Sequence, residues 1–237
     1  MTENLSKLTI EALFQRGEVQ VYDGLHFVYT GDDHGPGYAN LRPLAKPENL
    51  DVLRELSYRL LMATLQVTGL DTEDVLVIGP ATLGRQIATE AVDLFNIIHP
   101  GLKPLRSAAL IHCKEDKEKF LWEESVRSAL IQQPPGRVMW VDDLMNKGST
   151  WRRTKDLILD LFPNSIAAVA TIANRSQETP ESLGVPHFVS LCDISLDRFS
   201  PEVCPQCEAG KAIVTNLGHG ATFQQKHPDY AGGFIEI

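Results

Sequence analysis

The residues at 138–150 constrain this chain more than any others: Val138-Met139-Trp140-Val141-Asp142-Asp143-Leu144-Met145-Asn146-Lys147-Gly148-Ser149-Thr150. Four consecutive apolar residues with no polar alternation describe a strand covered on both faces, as in a parallel α/β sheet. Two carboxylates, Asp142 and Asp143, follow at its expected C-terminal end, where open α/β sheets place their ligands. Asn146, Lys147, Gly148, Ser149 and Thr150 then make a small polar turn, with a helix expected to start around Trp151. Such a turn aims several backbone N–H groups and the positive end of a helix dipole at one point, which suits a phosphate. The chemistry implied is a phosphate in the turn, with hydroxyls or a hydrated metal beside the two acids.

Two plainer origins exist for the same pattern. A phospho-acceptor receiver domain also opens on a strand ending in Asp-Asp, but there the pair lies near the chain start and an acceptor Asp ends a later strand. Here the pair is mid-chain, and no strand-end Asp follows at a suitable distance. The other origin is a solvated strand end with an ordinary helix cap. A second strand-to-helix turn weighs against both. Residues 75–78, Val-Leu-Val-Ile, run into Gly79-Pro80-Ala81-Thr82-Leu83-Gly84, and a helix is expected over 85–98, stopped by Pro100. Its glycines permit close backbone approach, and it too opens a helix N-terminus. One such loop is common. Two at successive strand ends are harder to attribute to plain connection.

Further strands are expected at 107–112, 166–172 and 185–191, and further helices at 48–67 and 150–162. Five apolar strands separated by helices imply an α/β fold with a mainly parallel, doubly wound sheet. Residues 1–46 read as an N-terminal helix (8–14) and a hood, with strand-like pieces at 19–22 and 25–29 and a glycine-rich loop at 31–37. Residues 47–197 read as the α/β core, and 198–237 as a Cys- and His-containing tail packed on it. No Gly-x-Gly-x-x-Gly follows a strand and no Walker-type Gly-Lys-Ser/Thr is present, so dinucleotide and P-loop NTPase readings fall. The formal charge of −9 disfavours a nucleic-acid partner. The first residues are polar and acidic and no run is long enough to span a bilayer, which suggests a cytoplasmic protein without a membrane partner.

The stretch 138–150 resembles the phosphoribosyl-pyrophosphate (PRPP) signature of the type I phosphoribosyltransferases, with Asn146 and Lys147 standing where two threonines are usual. The turn 79–84 is similar to that family's pyrophosphate loop. Within the family the likeness is to orotate phosphoribosyltransferases, whose start matches the order Phe14, Gly17, Asp23-Gly24 and Asn40-Leu41-Arg42, with Tyr22 replacing a lysine. The resemblance implies that Asp142 and Asp143 bind ribose hydroxyls, that 146–150 hold the 5′-phosphate, and that 79–84 meet pyrophosphate. It implies a catalytic loop at 113–120, in which Lys114 and Lys117 match the family's lysines while Cys113, Lys119 and Phe120 replace its Arg, His and Gly. It places Arg175 and Tyr22 at the base, Arg175 as a fork for a planar carboxylate. It also implies Mg²⁺ brought in with substrate, PRPP, pyrophosphate and a nucleobase as partners, and a homodimer. The expected function is therefore transfer of ribose 5-phosphate from PRPP, most simply to orotate. The alternatives are another base, which Tyr22 and the altered 113–120 loop favour, or a non-catalytic PRPP or nucleotide sensor.

The four cysteines do not form a disulfide framework suited to a chain of 237 residues. Cys204-Pro205-Gln206-Cys207 admits three readings: packed small residues, a redox pair, or a structural zinc site completed by His219 and His227. Those two histidines lie eight apart, wider than the usual finger spacing.

Overall fold

A computed structural model describes residues 5–29, 32–70, 74–116 and 119–237. The chain divides into two compact units, Met1–Gly17 with Leu44–Asp193, and Glu18–Pro43 with Ile194–Ile237. The first helix thus belongs with the α/β core, while hood and tail together make the second unit.

The first unit is built on six strands: β1 (Val75–Pro80), β2 (Arg106–His112), β3 (Phe120–Trp122), β4 (Arg137–Met145), β5 (Ile166–Asn174) and β6 (His187–Asp193). Their order across the sheet is β6-β5-β4-β1-β2-β3, parallel except for β3, which returns antiparallel along β2. The helices are α1 (Ile10–Arg16), α2 (Leu50–Thr68), α3 (Leu83–Ile98), α4 (Glu124–Gln132), α5 (Ser149–Leu161) and the single turn α6 (Pro180–Leu183). Every residue of β1 is buried, and seven successive residues of β5 are. That explains why β1 reads as an unbroken apolar run and those seven residues as a run broken only by Thr171, since helices cover the sheet on both sides. Leu76, Ile78, Leu110, Val138, Trp140 and Val169 face α4 and α5, packing on Leu130, Trp151 and Ile158. The alternate residues face α2 and α3, which pack on one another and on the sheet. Each such Leu or Ile contributes roughly 1.5–3 kcal/mol of burial. The Trp140 and Trp151 rings meet edge to face at 5.6 Å, and Trp151 Nε1–H donates to the Leu183 carbonyl at 3.0 Å, tying α5 to α6.

Three elements differ from the sequence reading. β4 does not stop at Val141 but runs through both acids to Met145, because β5 is equally long and pairs Asp142 with Thr171, Leu144 with Ala173 and Met145 with Asn174. The helix after it begins at Ser149, so the turn is shorter than expected. The sheet has a sixth strand, β3, whose Phe120 and Trp122 are buried against the core; three residues are too few to show a period.

In the second unit, Gln20–Tyr22 pairs antiparallel with Tyr38–Asn40, and Ile213–Val214 pairs parallel with Phe234–Ile235. The loop expected over 31–37 contains a short strand instead: His34–Gly35 pairs with Phe27–Val28. The peptide of His34 also bonds reciprocally with Phe199 of the tail, at 2.8 and 2.9 Å. Two small cores hold the unit, one of Phe27, Tyr29 and Val214, the other of Val28, Ile213 and Phe223. Cys204 and Cys207 gather with His26 and His34, not with His219 and His227. His219 precedes the helix Gly220–Lys226 and its N–H donates to Val28, while the His227 ring tilts against Phe223. The expected zinc ligand set is therefore corrected at both histidines.

Candidate active site

β1 and β4 are neighbours in the sheet, yet the chain leaves β1 for β2 on one side and later enters β4 on the other. Their C-terminal ends therefore flank a topological switch point, with α3 and α5 departing on opposite faces. Open α/β sheets bind ligands in that crevice. Both loops singled out in the sequence lie there.

Gly79 and Pro80 end β1, Ala81 and Thr82 form the turn, and Leu83 and Gly84 open α3. The Ala81–Thr82 peptide is cis, and Ala81 N–H donates to the Leu110 carbonyl at 2.7 Å. The two glycines are required by close approach: a Cβ on Gly79 would lie 1.9 Å from the Gly84 carbonyl oxygen, and one on Gly84 would lie 2.9 Å from Asp142 Oδ1. The start of α3 is thereby brought onto the acidic end of β4. At the neighbouring strand end, Gly148 takes φ 65°, a left-handed conformation that favours glycine, and turns the chain from β4 into α5. Asp142, Asn146, Gly148, Thr150 and Trp140 help line a small cavity of about 40 Å³ in this turn.

The two acids differ in setting. The Asp143 N–H donates to Asp142 Oδ1 at 3.0 Å, which favours the Asp142 carboxylate. Burial nevertheless pushes the Asp142 carboxyl well above the ordinary carboxylate range, and the adjacent Asp143 charge adds to that rise. A carboxylate held so unfavourably gains from hydroxyl donors or a nearby cation. Trp140 Nε1–H is buried beside the same cavity and finds no hydrogen-bond partner among the described residues. Sequence reading missed that donor, because a Trp inside an apolar run reads only as core.

A curated protein from Carboxydothermus hydrogenoformans (strain ATCC BAA-161 / DSM 6008 / Z-2901), orotate phosphoribosyltransferase, is 27% identical over 190 residues, 80% of this chain and 87% of its own length. The orotate phosphoribosyltransferase of Francisella tularensis superposes with a TM-score of 0.50 at 13% identity, covering 90% of this chain and 96% of that one. The adenine phosphoribosyltransferase of Saccharomyces cerevisiae gives 0.51 at 12% identity, over 76% and 96%. The chain has the type I phosphoribosyltransferase fold. No family model matches it.

Against the phosphoribosyltransferase pattern, Arg175 stands half-buried just past the end of β5, its N–H bonded to the Met145 carbonyl at 2.9 Å, one residue from the turn at 146–150. Asn174 beside it donates to Asp193 Oδ1 at 3.0 Å and caps Ser176, fixing the strand end. Behind the turn, the Arg152 guanidinium donates to the Lys147 carbonyl and pairs with Glu178 at 2.7 Å. Lys114 is exposed in the turn of the β2–β3 hairpin, which closes with Cys113 N–H donating to the Lys119 carbonyl at 2.9 Å. Lys117 lies outside the described residues. Phe120, where a glycine was expected from the family, is the first residue of β3, with the Arg153 guanidinium 5.9 Å over its ring. Tyr22 lies in the second unit, on the strand Gln20–Tyr22, where its hydroxyl donates to Gln20 and its ring approaches Phe27.

Proposed function

We propose that this chain transfers ribose 5-phosphate from PRPP to a nucleobase and releases pyrophosphate. The observation that carries this reading is the pair of glycine-containing loops at the ends of adjacent parallel strands, flanking Asp142 and Asp143 at the switch point. The 5′-phosphate sits at the N-terminus of α5, cradled by residues 146–150, where the first N–H groups of the helix and its dipole favour an anion. Asp142 and Asp143 accept hydrogen bonds from the ribose hydroxyls. The loop 79–84 offers the start of α3 to pyrophosphate, with Lys114 supplying charge from the β2–β3 turn and Lys117 proposed to join it on the sequence resemblance alone.

In the reaction the bond from C1′ to pyrophosphate breaks, the electron pair leaves with pyrophosphate, and a base nitrogen takes the vacated position on C1′. Positive charge on the ring and negative charge on the leaving group both grow toward the transition state, so fixed dipoles and cations placed beforehand accelerate the step. The oxygen-only donors at the end of β4, and the elevated Asp142 carboxyl, suit a hard divalent cation. Mg²⁺ carried in with PRPP would be held beside Asp142 and Asp143 and would supply positive charge against pyrophosphate.

Orotate is the base we infer first. Arg175 at the β5 end is the natural fork for a planar carboxylate, and the curated relative of 27% identity is an orotate enzyme. A second reading, transfer to another base, is favoured by Tyr22 in place of lysine and by Phe120 in place of glycine. Pyrophosphate release from PRPP with Mg²⁺, measured over orotate and a panel of other bases, tests both. Turnover with orotate that loses at least about tenfold in kcat/KM on Arg175→Ala, roughly the worth of one charge-assisted hydrogen bond, supports the first. Turnover with a different base alone reassigns the substrate. PRPP binding without turnover on any base sinks the enzyme reading.

A further inference from the structure

We infer that His26, His34, Cys204 and Cys207 form a tetrahedral zinc site that staples the hood to the tail within the second unit. The four side chains come from segments about 170 residues apart in sequence, yet one donor atom from each lies within 4.8 Å of all the others. His26 Nε2 and His34 Nδ1 are 3.0 Å apart, His34 Nδ1 and Cys207 Sγ 3.1 Å, Cys207 Sγ and His26 Nε2 3.6 Å, and Cys204 Sγ and His26 Nε2 3.7 Å. Zinc bonds of about 2.0–2.1 Å to nitrogen and 2.3 Å to sulfur give tetrahedral edges of roughly 3.3–3.8 Å. The cluster therefore has close to the size a zinc ion demands. Two thiolates and two imidazoles in a tetrahedral arrangement select zinc over the hard oxygen-loving cations.

The surroundings orient His26 as a metal site requires. His26 Nδ1 lies 2.9 Å from the Lys211 carbonyl, which accepts its N–H and leaves Nε2 bare toward the cluster. The Tyr230 hydroxyl donates to the same carbonyl at 3.0 Å, a further layer of support. Such outer partners fix the tautomer of a ligating imidazole. Cys204 is the N-cap of a single helical turn, Pro205–Glu208, that contains Cys207, and its side chain makes no capping bond and is free to ligate. His26 and His34 are both 0% exposed and Cys204 is 2% exposed. Around a cation, His26 Nε2 and His34 Nδ1 both present lone pairs to the same centre.

The second unit also has a physical need for such a staple. The second unit has strands of two or three residues and two cores of three buried residues each. A unit that small gains much of its folding free energy from a metal staple where one is present. This inference stands apart from the phosphoribosyl reading, because metal content and turnover are measured separately.

The test is elemental analysis of the full chain purified without chelator, followed by cobalt substitution. We expect one zinc per chain, and a visible ligand-field spectrum of a tetrahedral cobalt site with thiolate charge transfer. His227→Ala should keep the full zinc content, whereas Cys207→Ser and His34→Asn should each lose zinc to a chelator at least about tenfold more readily. Should Cys207→Ser fail to fold, the wild-type zinc content and cobalt spectrum still decide. Metal-free protein that neither takes up zinc nor shows the cobalt spectrum overturns the inference, as does a Cys204–Cys207 disulfide in the freshly purified chain. Equal loss of zinc in His227→Ala overturns the ligand assignment.

Discussion

At the scale of single residues, the buried acid at the end of β4 costs stability, which the proposed function would put to use. Asp142 has a folded-state pKa raised above its unfolded value, by burial first and the Asp143 charge second. The folded state therefore binds its proton more tightly, so the contribution is fully present below the ordinary carboxylate value of about 3.9 and is lost as pH rises through the folded value. Asp142→Asn keeps the shape and the acceptor for the Asp143 N–H while removing that loss. We expect the variant to melt higher than the wild type at pH 7 without substrate, with PRPP affinity reduced at least about tenfold. A lower melting temperature with unchanged affinity would contradict both roles. Gly148, with φ 65° and Leu183 Cδ2 3.0 Å from an added Cβ, gives the opposite case. Gly148→Ala should cost about 1–2 kcal/mol in chemical denaturation and weaken PRPP binding, because the turn cannot keep its conformation without strain. Trp140→Phe removes a buried N–H that meets no partner among the described residues, so its stability should change by less than about 1.5 kcal/mol. A PRPP affinity that falls in this variant while stability holds would place that N–H at the ligand; an unchanged affinity would leave it a core tryptophan.

At the scale of elements, legibility follows burial on both faces. Residues 75–78 and 138–141 could be read as strands because nothing polar interrupts them, and 166–172 because only Thr171 does; the observed β1, β4 and β5 contain them. The edge strand β3 was not legible: Phe120-Leu121-Trp122 is too short for a period, and the lysine-rich run before it reads as a solvated loop. The hairpin makes Phe120 a packing residue, 8% exposed. Phe120→Ala should therefore destabilise by about 3 kcal/mol, the cost of emptying a buried aromatic site. A change below about 1 kcal/mol in the denaturation midpoint would show that β3 contributes little to the core. The two acids were legible as a pair but not as part of the strand, because pairing with Thr171 through Asn174 on β5 extends β4 past the apolar run. The strand His34–Gly35 was hidden for a related reason, since Gly-rich sequence signals a loop and its partners Phe27–Val28 and Phe199 are set only by tertiary pairing.

At the scale of the whole molecule, the chain separates its tasks between two units. The sheet unit carries both glycine loops, the acids and Arg175, all at one end of parallel strands and all visible in sequence order. The hood–tail unit carries the His and Cys cluster, which sequence spacing assigned to the wrong histidines because local spacing says nothing about segments about 170 residues apart. Stripping the metal should therefore raise amide hydrogen exchange around residues 20–40 and 201–237 while β1, β4 and β5 stay protected; uniform loss of protection would make the chain one cooperative body instead. Pyrophosphate release from PRPP and Mg²⁺ with a base panel, run on the wild type and on Asp142→Asn with Asp143→Asn, decides whether the sheet unit holds the proposed site. The account predicts turnover with at least one base in the wild type and loss of PRPP binding or turnover in the double variant. Full activity in the double variant, or no turnover by a wild type that binds PRPP, would contradict it.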